Sequence, residues 1–459
     1  MRSALVALIA GVAAAGCSST AHAASWTGTY RLPASADPVA ISVQLTGTTA
    51  TVALGPGHLG RTTLAARVRG ARVTFTVPGG VVFAGEIHGR TLKGTVAQGT
   101  LRGTFRLAPG TSRALSALGL YRTADGTAVA IVQAEGFPTW LVALPSGDIH
   151  GLGRSLTTVG GTPGARTGDG TLQVAPNRIT WTRNGTPVAY DRVVLHQREV
   201  RVGRTAATLS LPDGPGPFAA VAMVHGSSPQ ARDEFQLFAA FCALYGIAVI
   251  ADDKRGIGES QGRYPGERPT PATVDVLARD AQAEVRFLTT LPQIDPKRVG
   301  LFGDSQAGWV IALAASREPA VRWAVPLAGP TVSVDENEAF ADLAGKGVSP
   351  PSEPLDRIVA FVRTVSPGGF DPAPYLRKLS IPVFWVFADD DRNVPTQLCI
   401  ERLTALQHGH DFTWTVIHAT HTLLDLPSGL NDEIPRSRGF GAGLFDRVAE
   451  WLRARAITA

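Results

Sequence analysis

Residues 301–316, LFGDSQAGWVIALAAS, decide how this chain is read. The apolar run RVGLFG at 298–303 has strand character, and AGWVIALAAS at 307–316 has the length and composition of a helix. Between them the hexapeptide Gly303-Asp304-Ser305-Gln306-Ala307-Gly308 is read as a G-x-S-x-G turn. Glycines there permit a tight, strained strand-to-helix turn and a close approach of the helix, which push the Ser305 hydroxyl into the open. Ser305 is therefore the candidate nucleophile. The competing reading is an ordinary serine in a structural turn.

Working outward, the chain after residue 205 alternates apolar strands with amphipathic helices. FAAVAMVHG, IAVIADDKRG, WAVPLAG and IPVFWVFADD read as strands, and FQLFAAFCALYG and VDVLARDAQAEVRFLTTL as helices. That grammar predicts an α/β domain over 204–459, a mostly parallel sheet covered by helices on both faces. From 330 to 378 the alternation lapses into an acidic, Pro-rich insert, a short helical cap over the carboxyl ends of the strands, where such sheets bind ligands. Its Phe340, Leu343, Ile358, Phe361 and Val362 offer an apolar surface for acyl groups. EVRFL at 284–288 reads as an amphipathic helix face and nothing more.

The region 24–203 has a different rhythm. Short runs such as ARVTFTV, GVVFAGEI and TLKGTVAQ alternate apolar and polar residues between glycines, which predicts antiparallel all-β structure, an antiparallel meander. Thr91-Leu92-Lys93-Gly94-Thr95 returns as Thr100-Leu101-Arg102-Gly103-Thr104, a spacing suited to adjacent strands. A break near 114–122 divides the region into modules at 24–112 and 118–203. Neither module has a catalytic spacing of His, Cys or carboxylates, so packing and substrate gating are its expected roles, with ligand binding as the alternative.

At 459 residues the chain can bury a large core without cross-links, and its net charge of +5 is spread singly rather than in runs, which argues against a nucleic-acid partner. Residues 1–23 form a signal peptide: Arg2, the apolar run ALVALIAGVAAAG and the small-residue site AHA. The protein is thus expected to be exported, periplasmic or secreted. AAGCSS at 14–19 offers a second cleavage mode, with Cys17 lipidated and the protein held at the membrane. Cys242 and Cys399 sit in apolar helical patterns and read as buried small hydrophobes rather than a disulfide. No dinucleotide fingerprint, P-loop or H-E-x-x-H motif occurs, so neither cofactor nor metal is expected.

A serine hydroxyl needs a base, and the base needs a carboxylate to orient it. Downstream, the strand IPVFWVFADD enters a loop holding Asp389, Asp390 and Asp391, and FTWTVIHATH enters one holding His418 and His421. Spacing alone leaves the choice within each loop open.

The segment 203–455 resembles the α/β-hydrolase superfamily, in which the acid and then the histidine follow the serine. The superfamily's acid loop commonly reads G-x-x-D-x-x-V-P. With Ala388 in the glycine position, the resemblance lays the acid on Asp391, ahead of Val394-Pro395, and the base on His421, after Ala419-Thr420. His225-Gly226-Ser227-Ser228-Pro229-Gln230-Ala231-Arg232-Asp233 and Asp253-Lys254-Arg255-Gly256-Ile257-Gly258-Glu259-Ser260 are similar to the HGSGPxxRD and DKRGxGxS motifs of a branch of bacterial serine esterases that carry an N-terminal β domain. Ser228 replaces a glycine of that branch, and Asp304 stands where it usually has His. The resemblance implies a carboxylesterase acting on small esters, with a peptidase or thioesterase as alternatives and a non-catalytic binding protein as a remote one. For the oxyanion it implies the backbone N–H of Gln306, just after the nucleophile, and that of Ser227. His225 is expected to brace its loop. The charges of Arg232, Asp233, Asp253, Lys254 and Arg255 are expected to pair across loops.

Overall fold

The computed structural model describes residues 24–31, 39–54, 61–77, 81–98, 101–109, 117–133, 139–152, 157–160, 169–175 and 177–458. The expected signal peptide, with Cys17, lies outside the described residues.

Both N-terminal modules are closed antiparallel barrels of eight strands rather than open meanders. Closure follows from the pairing of the first and last strands, Ala24–Arg31 with Leu101–Pro109, and it removes the unpaired edges an open meander would expose. The two echoing segments are neighbours, with Thr95 opposite Thr104. Alternate residues point inward, as in Arg72–Val77, where Val73, Phe75 and Val77 are buried and their neighbours are not. Phe75 stacks on Phe83 with ring centroids 5.0 Å apart, and Tyr30 meets Phe83 edge-on at 5.1 Å.

The second barrel, from Gly119 to Arg192, is apolar on both sides of some strands. In Ala128–Gln133, Val129 and Ile131 fill the barrel while Ala128, Ala130 and Val132 face the catalytic half and share its core with Phe241, Phe445 and Trp451. The hairpin at Gly147 and Asp148 also pairs with 438–440: Phe440 N–H donates to Gly147 at 3.0 Å and Ile149 N–H to Arg438 at 2.7 Å. Burial on both faces explains the near-continuous apolar text of AVAIV and WLVAL.

An eight-stranded sheet forms the rest, in the order Leu195–Val202, Thr205–Pro212, Ile247–Asp252, Phe218–Val224, Ile294–Asp304, Trp323–Leu327, Val383–Asp390, Phe412–Thr420. The six strands from Ile247–Asp252 onward are mutually parallel, and Thr205–Pro212 runs antiparallel to both of its neighbours. The sheet thus begins before residue 203, where the boundary was expected. Leu195–Val202 is a polar, largely exposed edge strand, so the apolar text that marks the domain starts only with the next strand.

The insert carries the helices Val334–Ala344, Leu355–Val362 and Ala373–Leu376. Ser333 and Glu336 form a reciprocal cap at the first of these, and Glu336, 2% exposed, also accepts from Arg402 at 2.6 Å. The expected acyl-binding surface is mostly absent: Phe340, Ile358 and Val362 are buried in the main core, Leu343 packs on it, and only Phe361 stays at the surface. Cys242 and Cys399 are free and buried, and burial pushes both thiols up to about 12.

Candidate active site

The strand Ile294–Asp304 delivers Ser305 and the helix Ala307–Arg317 leaves it. Ser305 is held at φ +54°, a left-handed conformation that a side-chain-bearing residue adopts only under constraint. Two glycines make the turn possible. A Cβ on Gly303 would lie 2.1 Å from the Val224 carbonyl, and one on Gly308 would lie 2.7 Å from the backbone of Gly329 and Pro330. In strict register the final glycine of G-x-S-x-G falls on Ala307, so this turn is a G-x-S-x-A-G variant. Gly308, one residue on, provides the close helix approach.

Ser305 Oγ lies 2.9 Å from His421 Nε2, and His421 Nδ1 lies 2.8 Å from Asp391 Oδ2. The other Asp391 oxygen accepts from the N–H groups of Asn393 and Val394 at 2.8 and 2.7 Å, which fixes the carboxylate with its charge satisfied. The neighbouring aspartates go elsewhere. Asp390 pairs with Arg392, and Asp389 pairs with His418 at the surface, 2.9 Å apart. Burial disfavours a charged His421, but the Asp391 charge and hydrogen bond, with Asp304 behind them, outweigh it and hold the imidazole above its ordinary value. The histidine loop is tied back by Thr420 N–H to Leu424 at 3.0 Å and by Gly441 N–H to Leu423 at 2.8 Å.

The loop after Phe218–Val224 carries Ser227 and runs beside the nucleophile: a Cβ on Gly226 would come within 3.6 Å of Ser305 Cβ. Gln306 is buried and precedes the helix Ala307–Arg317, whose first turn is closed by the Gly308 N–H donating to the Ser305 carbonyl at 2.9 Å and the Trp309 N–H to the Gln306 carbonyl at 3.1 Å. His225 Nε2–H donates to the Asp252 carbonyl at the end of the next strand at 2.7 Å, and its ring packs on Phe235.

The remaining charges of the two motifs form a network. Arg232 binds both oxygens of Asp253 at 2.9 and 2.7 Å and also reaches Glu199 and Glu259. Arg255 binds Asp280. Lys254 is different: it is 1% exposed and its ammonium is directed at backbone carbonyls of the 226–228 loop. Glu284 is a second departure from expectation. It is buried, not on an exposed helix face, and it accepts from Thr205 Oγ1 at 3.1 Å. Burial, with Asp252 nearby, raises its carboxyl well above the ordinary carboxylate range.

Residues 215–354 match the family model described as serine aminopeptidase, S33. The esterase EstD of Thermotoga maritima is 26% identical over 244 residues, covering 47% of this chain and 57% of its own length. An uncharacterised protein of Mycobacterium tuberculosis is 31% identical over 196 residues, covering 42% of this chain and 58% of its own length. The chain thus spans under two thirds of either relative. Among solved structures, a Pyrococcus furiosus esterase aligns over 57% of this chain and 93% of its own with TM-score 0.41 and 20% identity. The acylaminoacyl peptidase of Pyrococcus horikoshii aligns over 91% of this chain and 74% of its own with TM-score 0.41 and 12% identity. The strand order, the crossover helices and the serine-bearing elbow give the C-terminal half the fold of an α/β hydrolase.

Proposed function

We propose that the protein is a serine hydrolase that cleaves small carboxylic esters through an acyl-enzyme, with Ser305, His421 and Asp391 as its triad. The observation that carries this reading is the line from Ser305 Oγ through His421 to Asp391, with contacts of 2.9 and 2.8 Å. As Oγ bonds to the acyl carbon, its proton passes to His421 Nε2, and Asp391 holds the ring tautomer and stabilises the imidazolium. The backbone N–H groups of Gln306 and Ser227 receive the oxyanion. Collapse of the tetrahedral adduct breaks the ester C–O bond, and the alcohol leaves with the proton from His421. Water, deprotonated by the same base, then releases the acid and restores Ser305.

The similarity to an esterase favours esters, while the description of the matched family model favours a second reading, an aminopeptidase. A screen of p-nitrophenyl esters, thioesters and aminoacyl anilides separates these. The ester reading expects the highest kcat/KM on short-chain esters, and preferred turnover of anilides would replace it with the peptidase. The segment 1–23 supports action after export, and it is tested by the intact mass of the processed chain: a start at Ala24 or a lipidated Cys17 agrees, and a retained Met1 does not.

A further inference from the structure

Lys254 is a buried ammonium with an unusual set of partners. It donates to the Gly226 carbonyl, to those of Ser227 at 3.1 Å and Ser228 at 3.2 Å, and to Gln306 Oε1 at 3.3 Å. Its own backbone N–H donates to the Gln230 carbonyl at 3.2 Å. Tyr264 Oη adds a further bond to the Ser227 carbonyl at 2.5 Å, and the Tyr264 ring lies 5.6 Å from the ammonium. Burial pulls Lys254 down to about 8, with Asp304, Asp252 and Glu267 opposing.

The consequence follows from peptide geometry. In a trans peptide unit the N–H points opposite to the C=O. Turning the carbonyls of Gly226 and Ser227 toward Lys254 therefore turns the N–H groups of Ser227 and Ser228 away from it. The third carbonyl, of Ser228, belongs to a peptide that ends in Pro229 and has no N–H. Both of these N–H groups are thereby left on the side of the loop away from the cation. Gly226 borders Ser305 on that loop. Through Gln306 Oε1 the same ammonium also grips the residue just after the nucleophile, whose Nε2 donates to the Glu267 carbonyl at 3.3 Å.

We propose that Lys254 is the positioning residue of the oxyanion hole: its ammonium, gathering the carbonyls of residues 226–228 and the side chain of Gln306, aims the loop's N–H groups and that of Gln306 at one point beside Ser305. This rests on the serine-hydrolase reading above. It makes Lys254 responsible for binding the transition state while leaving the ground-state ester untouched. Lysine suits the task because one nitrogen points three N–H bonds at converging carbonyls, whereas the flat guanidinium of arginine spreads its donors over a plane.

The test compares wild type, Lys254→Met, Lys254→Arg and Ser305→Ala. The readouts are kcat and KM on p-nitrophenyl acetate, the inhibition constant of 1,1,1-trifluoro-2-heptanone, which becomes an oxyanion on adding to a serine, and thermal melting. Lys254→Met in folded protein should lower kcat by roughly 100-fold, the scale of losing an oxyanion donor, with KM unchanged and the ketone weakened by the same factor. If the methionine variant does not fold, Lys254→Arg carries the test and should show the same linked loss of kcat and ketone affinity at unchanged KM. Wild-type kcat and ketone affinity in the folded variant, with Ser305→Ala inactive, overturn the role of Lys254 alone. Full hydrolysis by Ser305→Ala overturns the serine reading and this proposal with it.

Discussion

Asp391 Oδ2 sits 2.8 Å from His421 Nδ1, while Asp389, two residues earlier, faces the surface imidazole of His418 at 2.9 Å. The two pairs differ in burial: Asp391 is 2% exposed, and the side chains of Asp389 and His418 are 47% and 79% exposed. Only the buried pair touches Ser305. Asp391→Asn should therefore lower kcat by roughly 10,000-fold, as when a triad histidine is left in the wrong tautomer. Asp389→Asn and Asp390→Asn should remain near wild type. Kinetics of the three variants on one ester check this, and a mild Asp391→Asn beside a crippled Asp389→Asn would transfer the role to the surface pair.

The pH dependence follows from the same contact. His421 acts as base in its neutral form, and its environment holds its pKa above the ordinary 6.5 of an imidazole. Activity is then lost as pH falls through that raised value, so the rising limb of kcat/KM should have its midpoint above 6.5. In Asp391→Asn only the Asp304 charge is left to oppose burial, and the limb of the residual activity should move to lower pH. A wild-type midpoint below 6.5 would show that burial dominates the pair.

Much of this was legible in the sequence, and the misses share a cause. Period and punctuation identify the central parallel strands and the helices that flank Ser305, because those strands are continuous apolar runs. They leave the edge strand Leu195–Val202 with the β region before residue 203, because its text HQRE is that of an exposed hairpin. Barrel closure was not legible, because it depends on pairing between residues some eighty positions apart, such as Thr29 with Arg106. Glu284 read only as part of an amphipathic helix face. Its buried carboxyl meets Thr205, 79 positions away in the chain. Lys254 looked like a partner for a carboxylate, and a lysine that binds three backbone carbonyls leaves no periodic trace.

The second barrel shares a core with the sheet, so the two should unfold together. Ile149, 2% exposed, lies in that shared core. Ile149→Ala should cost about 2–5 kcal/mol and lower the temperature at which activity is lost. Calorimetry and residual-activity curves on the same samples test it. A separate early transition that leaves the activity curve in place would make the barrel an independent unit.

Glu284 gives a stability prediction with a definite sign. Burial raises its folded pKa well above the ordinary carboxylate range, so the unfolded chain releases the proton more readily. Stability from this site is full below the unfolded value and is lost as pH rises toward the folded one. Glu284→Gln keeps an acceptor for Thr205 and removes the ionisation. It should raise Tm at pH 8 and change it little at pH 4. An equal shift at both values would mean that the carboxyl does not titrate during folding.

The central claim is that Ser305 becomes covalently acylated. Peptide mass spectrometry of the protein after reaction with a fluorophosphonate should find one adduct, on the peptide containing Ser305. Ser305→Ala should take up no label and should lose roughly a million-fold in kcat while melting as the wild type does. Label on another residue, or an unmodified Ser305 in a protein that still hydrolyses the ester, would contradict the account.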